Sequence, residues 1–493
     1  MLYNEFGEEQ AHSLSQFIKR LTAYTSSTAS GPPSRARSPT SLLVGVRIKG
    51  KAIINKEASM DAILLLLFGI SIILSMVFDF NIVYPLIFGS LCFGIIAKRR
   101  GFSWNEIGKM MTKGTKTALI VIKIFVFIGL ITGAWRICGT IPFFVYWGTK
   151  LIAPSLFILC AFLITCFMAL ILGSSFGTAG TIGVVMMILA RSGGVSVPMT
   201  AGAVLAGAFW GDRCSPISSS ANLVAAITGT DLMKNIKNMM RSSAIPMVLT
   251  GIFYGILSYF NPLTSSQSNI ASEIAANYNL NFIVFLPAMI ILILPFFKCK
   301  IKLSMAISII MACFIAIFMQ NASATDVIRS LFIGYKPDFS GEFADIIAGG
   351  GLISMFKAAM IVLTASTYSG VIEKIGIFDA LEKLIMKYMA KLGKFTTAAA
   401  VSIVMSMISC NQTLAIMLTE QVMRKPNSEM KIDKYDTALD LEDSAVVTAT
   451  LIPWNIASAV PLSVLGAPTI SIVFGFYLYA LPIWRIIREK MGK

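Results

Sequence analysis

The chain is expected to fold as an all-α polytopic membrane protein, with two inverted repeats of broken helices or re-entrant hairpins and about 10–12 membrane segments. Three observations predict this. Apolar runs of roughly 20 residues, enough to cross a bilayer as helix, recur along the sequence. Of 493 residues, 56% are hydrophobic and 13% charged, and mean hydropathy is +0.76; soluble domains carry about 25% charged residues. The order of spans and connectors in the first half recurs in the second. The net charge of +16 sits in short hydrophilic stretches between the apolar runs. That is the positive-inside distribution of a membrane protein, so the lipid bilayer is the partner it serves and nucleic acid is excluded.

Residues 1–59 are polar, with GPPSRARSPTS in the middle and no apolar core of a signal peptide. They read as a disordered cytoplasmic tail, or as an extension ahead of a start at Met60. The first transmembrane repeat covers 60–260. Segment 98–116 carries Lys98, Arg99, Arg100, Lys109, Lys113 and Lys116 and should face the cytoplasm. Spans near 61–78 and 81–97 then form a hairpin that turns outside at Asp79-Phe80-Asn81. A span at 117–135 goes out, a weakly apolar stretch runs to about 150, and another span covers 153–172. Lys234, Lys237 and Arg241 mark the next inner segment, from which 242–260 crosses outward. The linker 261–281 has no lysine or arginine and is expected outside.

The second repeat, 282–486, starts from the opposite side. Spans near 282–297 and 303–319 turn inside through Lys298, Lys300 and Lys302. A connector, a span at 350–372, an amphipathic stretch 376–392 and a span at 395–410 then repeat the order of 98–172 with opposite topology. An inverted repeat of this kind is the sequence sign of an alternating-access transporter. Residues 487–493 form a short tail, and both termini are expected in the cytoplasm.

The chemistry concentrates where the apolar runs break. Between Gly202 and Val224 the chain reads GAVLAGAFWGDRCSPISSSANLV. An ionisable residue deep in lipid costs at least a few kcal/mol, and irregular backbone survives there only around a cavity or inside protein. Pro216 interrupts the helical ladder. Ser215, Ser218, Ser219, Ser220 and Asn222 offer the oxygen ligands a hard cation needs beside Asp212. The plain alternative is a short water-exposed loop between two ordinary spans. Upstream, Gly173-Ser174-Ser175-Phe176-Gly177-Thr178-Ala179-Gly180-Thr181 follows the span ending near 172, and Ser409-Cys410-Asn411-Gln412-Thr413 holds the equivalent place in the second half. After each comes an acidic motif, Gly211-Asp212-Arg213-Cys214-Ser215-Pro216 in one half and Leu441-Glu442-Asp443-Ser444 with Ile452-Pro453-Trp454-Asn455 in the other.

The expected binding residues are therefore Asp212, Ser215, Ser218, Ser219, Asn222 and Thr178 from the first half. Asn411, Gln412, Thr413, Glu442, Asp443, Ser444 and Asn455 join them from the second. Sodium is expected at Asp212, and the helices are expected to break at Gly177, Pro216 and Pro453. Lys123 and Lys357, at corresponding depths in the two repeats, are candidates to stand in for a cation's charge, against the plainer reading that each snorkels to an interface. Arg136, Glu373 and Glu420 lie near span ends and read as interfacial. The eight cysteines are scattered without CxxC spacing and read as small apolar residues. The one histidine, His12, lies outside the apolar part, which excludes a histidine proton relay.

These motifs resemble the NhaC-type sodium/proton antiporter family of the ion-transporter superfamily, over approximately residues 60–485. The resemblance implies a bacterial inner-membrane antiporter exchanging sodium for protons, with relatives that exchange organic acids. It carries over to Gly177, Thr178, Asp212, Ser215, Pro216, Asn222, Asn411, Gln412, Glu442, Asp443, Ser444, Pro453, Trp454 and Asn455. Such a chain uses no cofactor: sodium and protons are cargo. Where the family commonly places a second acid after the Ser-Pro pair, this chain has Ser218-Ser219-Ser220. That departure keeps a small organic acid or amino acid open as the solute, and a homodimer is also left open. A cation channel would need a continuous pore and no coupling acid. No P-loop and no GxSxG elbow is present, so neither an ATP-driven pump nor a membrane enzyme is expected.

Overall fold

Residues 60–61, 63–75, 78, 80–263, 267–297, 299–375 and 392–492 are described in the computed structural model. The tail 1–59, Asp79 of the first turn, Lys298 of the second and the amphipathic stretch up to residue 391 lie outside them. Packing divides the chain after Leu64, and Leu65–Lys493 forms one compact unit that contains every helix break.

The described structure is helical. Its main elements are α1 (Val83–Arg99), α2 (Trp104–Ile137), α3 (Phe157–Leu172), α4 (Ser175–Ser192), α5 (Val197–Arg213), α6 (Ser219–Thr228) and α7 (Leu232–Phe260). In the second half come α8 (Ile301–Phe318), α9 (Phe356–Ile375), α10 (Lys394–Ser409), α11 (Gln412–Glu429), α12 (Lys434–Leu451), α13 (Ile456–Leu465) and α14 (Phe476–Met491). Among the described residues six helices are long and apolar enough to cross a membrane, or up to eight if each sharply bent pair is one span. The expected 10–12 segments exceed this because α6, α10 and the helix Ile63–Ser75 are apolar but only 10–17 residues long. Such half-length helices cannot span about 30 Å of hydrocarbon alone.

Local chemistry sets the helix starts. Ser103 and Glu106 form a reciprocal capping box at the head of α2. The Asp231 side chain accepts the Lys234 N–H at 2.9 Å at the head of α7. Small residues set the crossings. A Cβ on Gly114 of α2 would stand 1.9 Å from the Ser366 carbonyl oxygen of α9, and one on Gly370 would stand 2.2 Å from that of Met110. Gly207 and Gly211 of α5 lie against α3 in the same way: a Cβ on Gly211 would meet the Cys166 oxygen at 2.4 Å and the Ala169 Cβ at 2.6 Å. Gly211→Val should push α3 and α5 apart and displace the neighbouring Asp212. We expect a loss of about 1–3 kcal/mol, read as a lower melting temperature of the purified protein. An unchanged melting temperature would show that the crossing relaxes freely.

Four helices of the first half, α3 to α6, repeat in the second at one spacing. Gly173 (φ 57°) ends α3 and Cys410 (φ 51°) ends α10, both in the left-handed region. Gly194 (φ 67°) answers Lys431 (φ 51°), and Gly229 (φ 63°) answers Gly466 (φ 60°). Each pair is 237 residues apart (410 less 173, 431 less 194, 466 less 229). The same spacing relates the starts of α3 and α10, of α4 and α11, of α5 and α12, and of α6 and α13. It also relates Pro216 to Pro453 and the N-caps Ser218 and Asn455. Two stretches of sequence with little identity thus carry one set of breaks.

Candidate functional site

The first break is at Gly173, not at the expected Gly177. Gly173 takes the left-handed conformation that costs glycine nothing, and Gly177 lies in the first turn of α4, its N–H held by Ser174 Oγ at 3.1 Å. Ser174 is the extended N-cap, and Asn411 plays that part at the second break, accepting the Leu414 N–H at 3.3 Å. Helix α4 continues through a π-helical turn, Ala179–Gly183. The breaks at Pro216 and Pro453 are where the sequence places them. In the first half a Cβ on Gly173 would stand 3.0 Å from the Ser218 backbone nitrogen. In the second the Ile456 N–H donates to the Cys410 oxygen at 2.9 Å. In each half, two breaks lie directly against one another.

Asp212, in the last turn of α5, is buried, and Ser175 and Ser218 are the groups that interact with its carboxyl. Ser175 opens α4 and Ser218 caps α6, so the positive ends of two helices face this acid. Its Oδ1 has no hydrogen-bond partner. Glu442 is fully buried and neither of its carboxyl oxygens has a partner. The charges within its reach are Arg213, Asp443 and Asp212.

The neighbouring acids are paired. Asp443 bonds to Arg213, accepts from Ser242 Oγ at 3.1 Å and stands 2.9 Å from Arg485 Nε. Arg213 also donates to the Tyr477 hydroxyl at 2.8 Å. Asp440 holds Arg485 at 2.7 Å and Lys394 at 3.1 Å. Asp212 and Glu442 are thus the two acids of the cluster that form no salt bridge among the described residues. Such a group is stable only if its charge is neutralised by a proton or a bound cation.

The expected residues divide into three groups. Asp212, Ser218, Glu442 and Asp443 come together, with Ser215 buried at the same turn. A second group holds backbone. Thr178 Oγ1 donates to the Ser174 oxygen at 2.9 Å and Gln412 Nε2 to the Val446 oxygen at 2.6 Å. Asn455 Nδ2 donates to the Ser406 oxygen at 2.9 Å, and Ser444 Oγ to the Asp440 oxygen at 2.5 Å. Asn222 is exposed and ties the loop, donating to the Ser218 oxygen at 2.6 Å and that of Pro216 at 3.2 Å. The third group is elsewhere: Ser219 is exposed, and Asn411 and Thr413 line a separate cavity of about 90 Å³ with Ser366 and Gly370.

The exposure of Lys123 and Lys357 fits the plainer of their two readings. Both are exposed, and Lys357 lines a cavity of about 290 Å³ beside Pro453 rather than facing Asp212. An exposed ammonium can lay its stem on apolar atoms and carry its charged end outward. Arg136, expected at an interface, is instead buried at 8% exposure. Glu420 is buried too, paired with Arg424 one turn on at 2.6 Å. Sequence reasoning also missed Asp440, Lys394, Tyr477 and Arg485. A signal existed: Asp440 and Asp443 share a helix face at three residues' separation, and Arg485 interrupts an apolar helix. All eight cysteines are free.

A helical membrane protein with apposed helix breaks around unpaired buried acids has the build of a secondary transporter. Comparison with known proteins makes this specific. The chain belongs to the Na+/H+ antiporter family, whose profile matches residues 36–221 and 211–488. It is 28% identical over 415 residues to the Na(+)/H(+) antiporter NhaC of Alkalihalophilus pseudofirmus, covering 83% of this chain and 90% of that one. It is 26% identical over 418 residues to the arginine/ornithine antiporter ArcD of Halobacterium salinarum (83% and 86%). It is also 23% identical over 383 residues to the malate-2H(+)/Na(+)-lactate antiporter of Bacillus subtilis (76% and 82%).

Proposed function

We propose that this chain is a secondary antiporter exchanging sodium for protons by alternating access of two inverted repeats, in the inner membrane with both termini cytoplasmic. One observation carries the reading: in a buried cluster where the other acids are paired, Asp212 and Glu442 form no ion pair among the described residues. Among the described residues no group of three or more His, Cys, Asp or Glu could hold a metal ion. Sodium would therefore draw its remaining oxygens from Ser175, Ser218 and the carbonyls freed at the Pro216 break.

Ionised Asp212 takes the cation and protonated Asp212 releases it. One carboxyl cannot hold both, so competition for it couples the two fluxes. Glu442, within electrostatic reach, disfavours a second negative charge and helps return the proton. The paired Arg213, Asp443, Asp440 and Arg485 hold the frame.

The test is a liposome assay with the full chain and a pH dye inside. External sodium or lithium should make the interior alkaline, while potassium should not. A dye that ignores sodium but responds to malate, lactate, arginine or ornithine would replace this reading with solute exchange, which the names of two relatives favour.

A further inference from the structure

Away from the acids, two arginines face a cavity that contains no carboxylate. The cavity, of about 170 Å³, is lined by Arg136 and Thr132 of α2, Arg191 of α4, Ser354, and Ser463 and Gly466 at the end of α13. It holds several times the ~30 Å³ share of one water. Arg136 is buried at 8% exposure, its Nε has no partner, and among the described residues no hydrogen bond or ion pair engages its guanidinium.

Its surroundings are built for close contact. Gly350, at φ 75°, brings backbone so near that a Cβ there would lie 2.1 Å from Arg136 Nη1. Arg191 is held in place, donating from Nη2 to the Leu465 and Gly466 oxygens at 3.0 and 2.9 Å. That leaves its other N–H groups uncommitted. A buried cation beside a second cation and no acid is unfavourable by itself. The missing element is an anion.

We propose that Arg136 and Arg191 form a binding site for a small soluble carboxylate. Two guanidinium groups match a carboxylate's paired oxygens by their planar forks. Thr132 and Ser354 already donate to the Gly129 and Gly351 oxygens, leaving the Ser463 hydroxyl free to donate to the ligand. The site is distinct from the Asp212 cluster but shares α4, which begins at Ser175 beside Asp212 and carries Arg191 in its last turn.

The test is calorimetric titration of the purified full chain with lactate, malate, inorganic phosphate, glycerol phosphate and chloride, without sodium. Saturable binding of lactate or malate is expected, weakened at least tenfold by Arg136→Gln. Arg136→Lys should also weaken it, because the charge remains and the fork does not. Without ligand, Arg136→Gln should melt no lower than the wild type, since it removes an unpaired buried charge. Should that variant not fold, Ser463→Ala supplies the comparison and must bind more weakly. No carboxylate binding by the wild type, affinity unchanged in these variants, or tighter binding of phosphate or the headgroup mimic would overturn the site. Sodium-driven exchange, measured without carboxylate, reports separately on the Asp212 reading.

Discussion

Asp212→Asn should reduce sodium-driven proton movement in liposomes to the level of empty vesicles while leaving the protein folded. The two side chains have nearly the same shape, and among the described residues Asp212 has no cationic partner whose loss would unbalance the interior. Replacing an unpaired buried acid with an amide removes a charge, which costs little and can even stabilise. Melting temperature and elution volume should therefore match the wild type, and only the exchange should vanish. Glu442→Gln separates the two acids. If Asp212 carries the ion and Glu442 tunes it, the glutamine variant keeps exchange but shifts its pH dependence. Near-normal coupled exchange in purified Asp212→Asn would remove this residue from the mechanism.

The largest stability effect is expected at Arg213. Its guanidinium is fully buried and holds Asp443, the Tyr477 hydroxyl and Ser242. Arg213→Met leaves Asp443 with Arg485 as its remaining cation and exposes an imbalance inside protein, a loss of about 3–5 kcal/mol. Asp443→Leu strands Arg213 in the same way. The double variant should be more stable than either single one, because the stranded partner goes with its mate. Thermal melting of the three variants in detergent reads this directly. Melting losses that simply add would mean that the pair is not coupled.

How much of this was legible differs from element to element. The helices at 83–99 and 157–172 follow from apolar run length, and Pro216 and Pro453 announce their breaks because proline lacks the N–H a helix needs. The span expected at 117–135 begins earlier, at Trp104, because the Ser103–Glu106 capping box starts the helix inside the basic segment read as a connector. The break at Gly173 was displaced to Gly177 because a run of glycine, serine and threonine contains several residues able to turn. Only packing against Ser218 selects one. For the two lysines the sequence leaves burial and snorkelling both open, because their neighbours are apolar yet a helix inside an apolar run still has an exposed face.

By itself, the sequence determined the class of protein, the order of its helices and the presence of acids at the breaks, since hydropathy, charge and proline act locally. Tertiary structure decided which acids are paired. The 237-residue register places Asp212 opposite Ala449, and Glu442 opposite Leu205, so the acidic motifs of the two halves are not equivalent positions. They nonetheless come within electrostatic reach, Glu442 from the middle of α12 and Asp212 from the last turn of α5. Partner choice there depends on which long side chains arrive from distant helices, as Arg485 does from α14 and Lys394 from α10. Those separations through the chain leave no local signal, and only the folded packing resolves them.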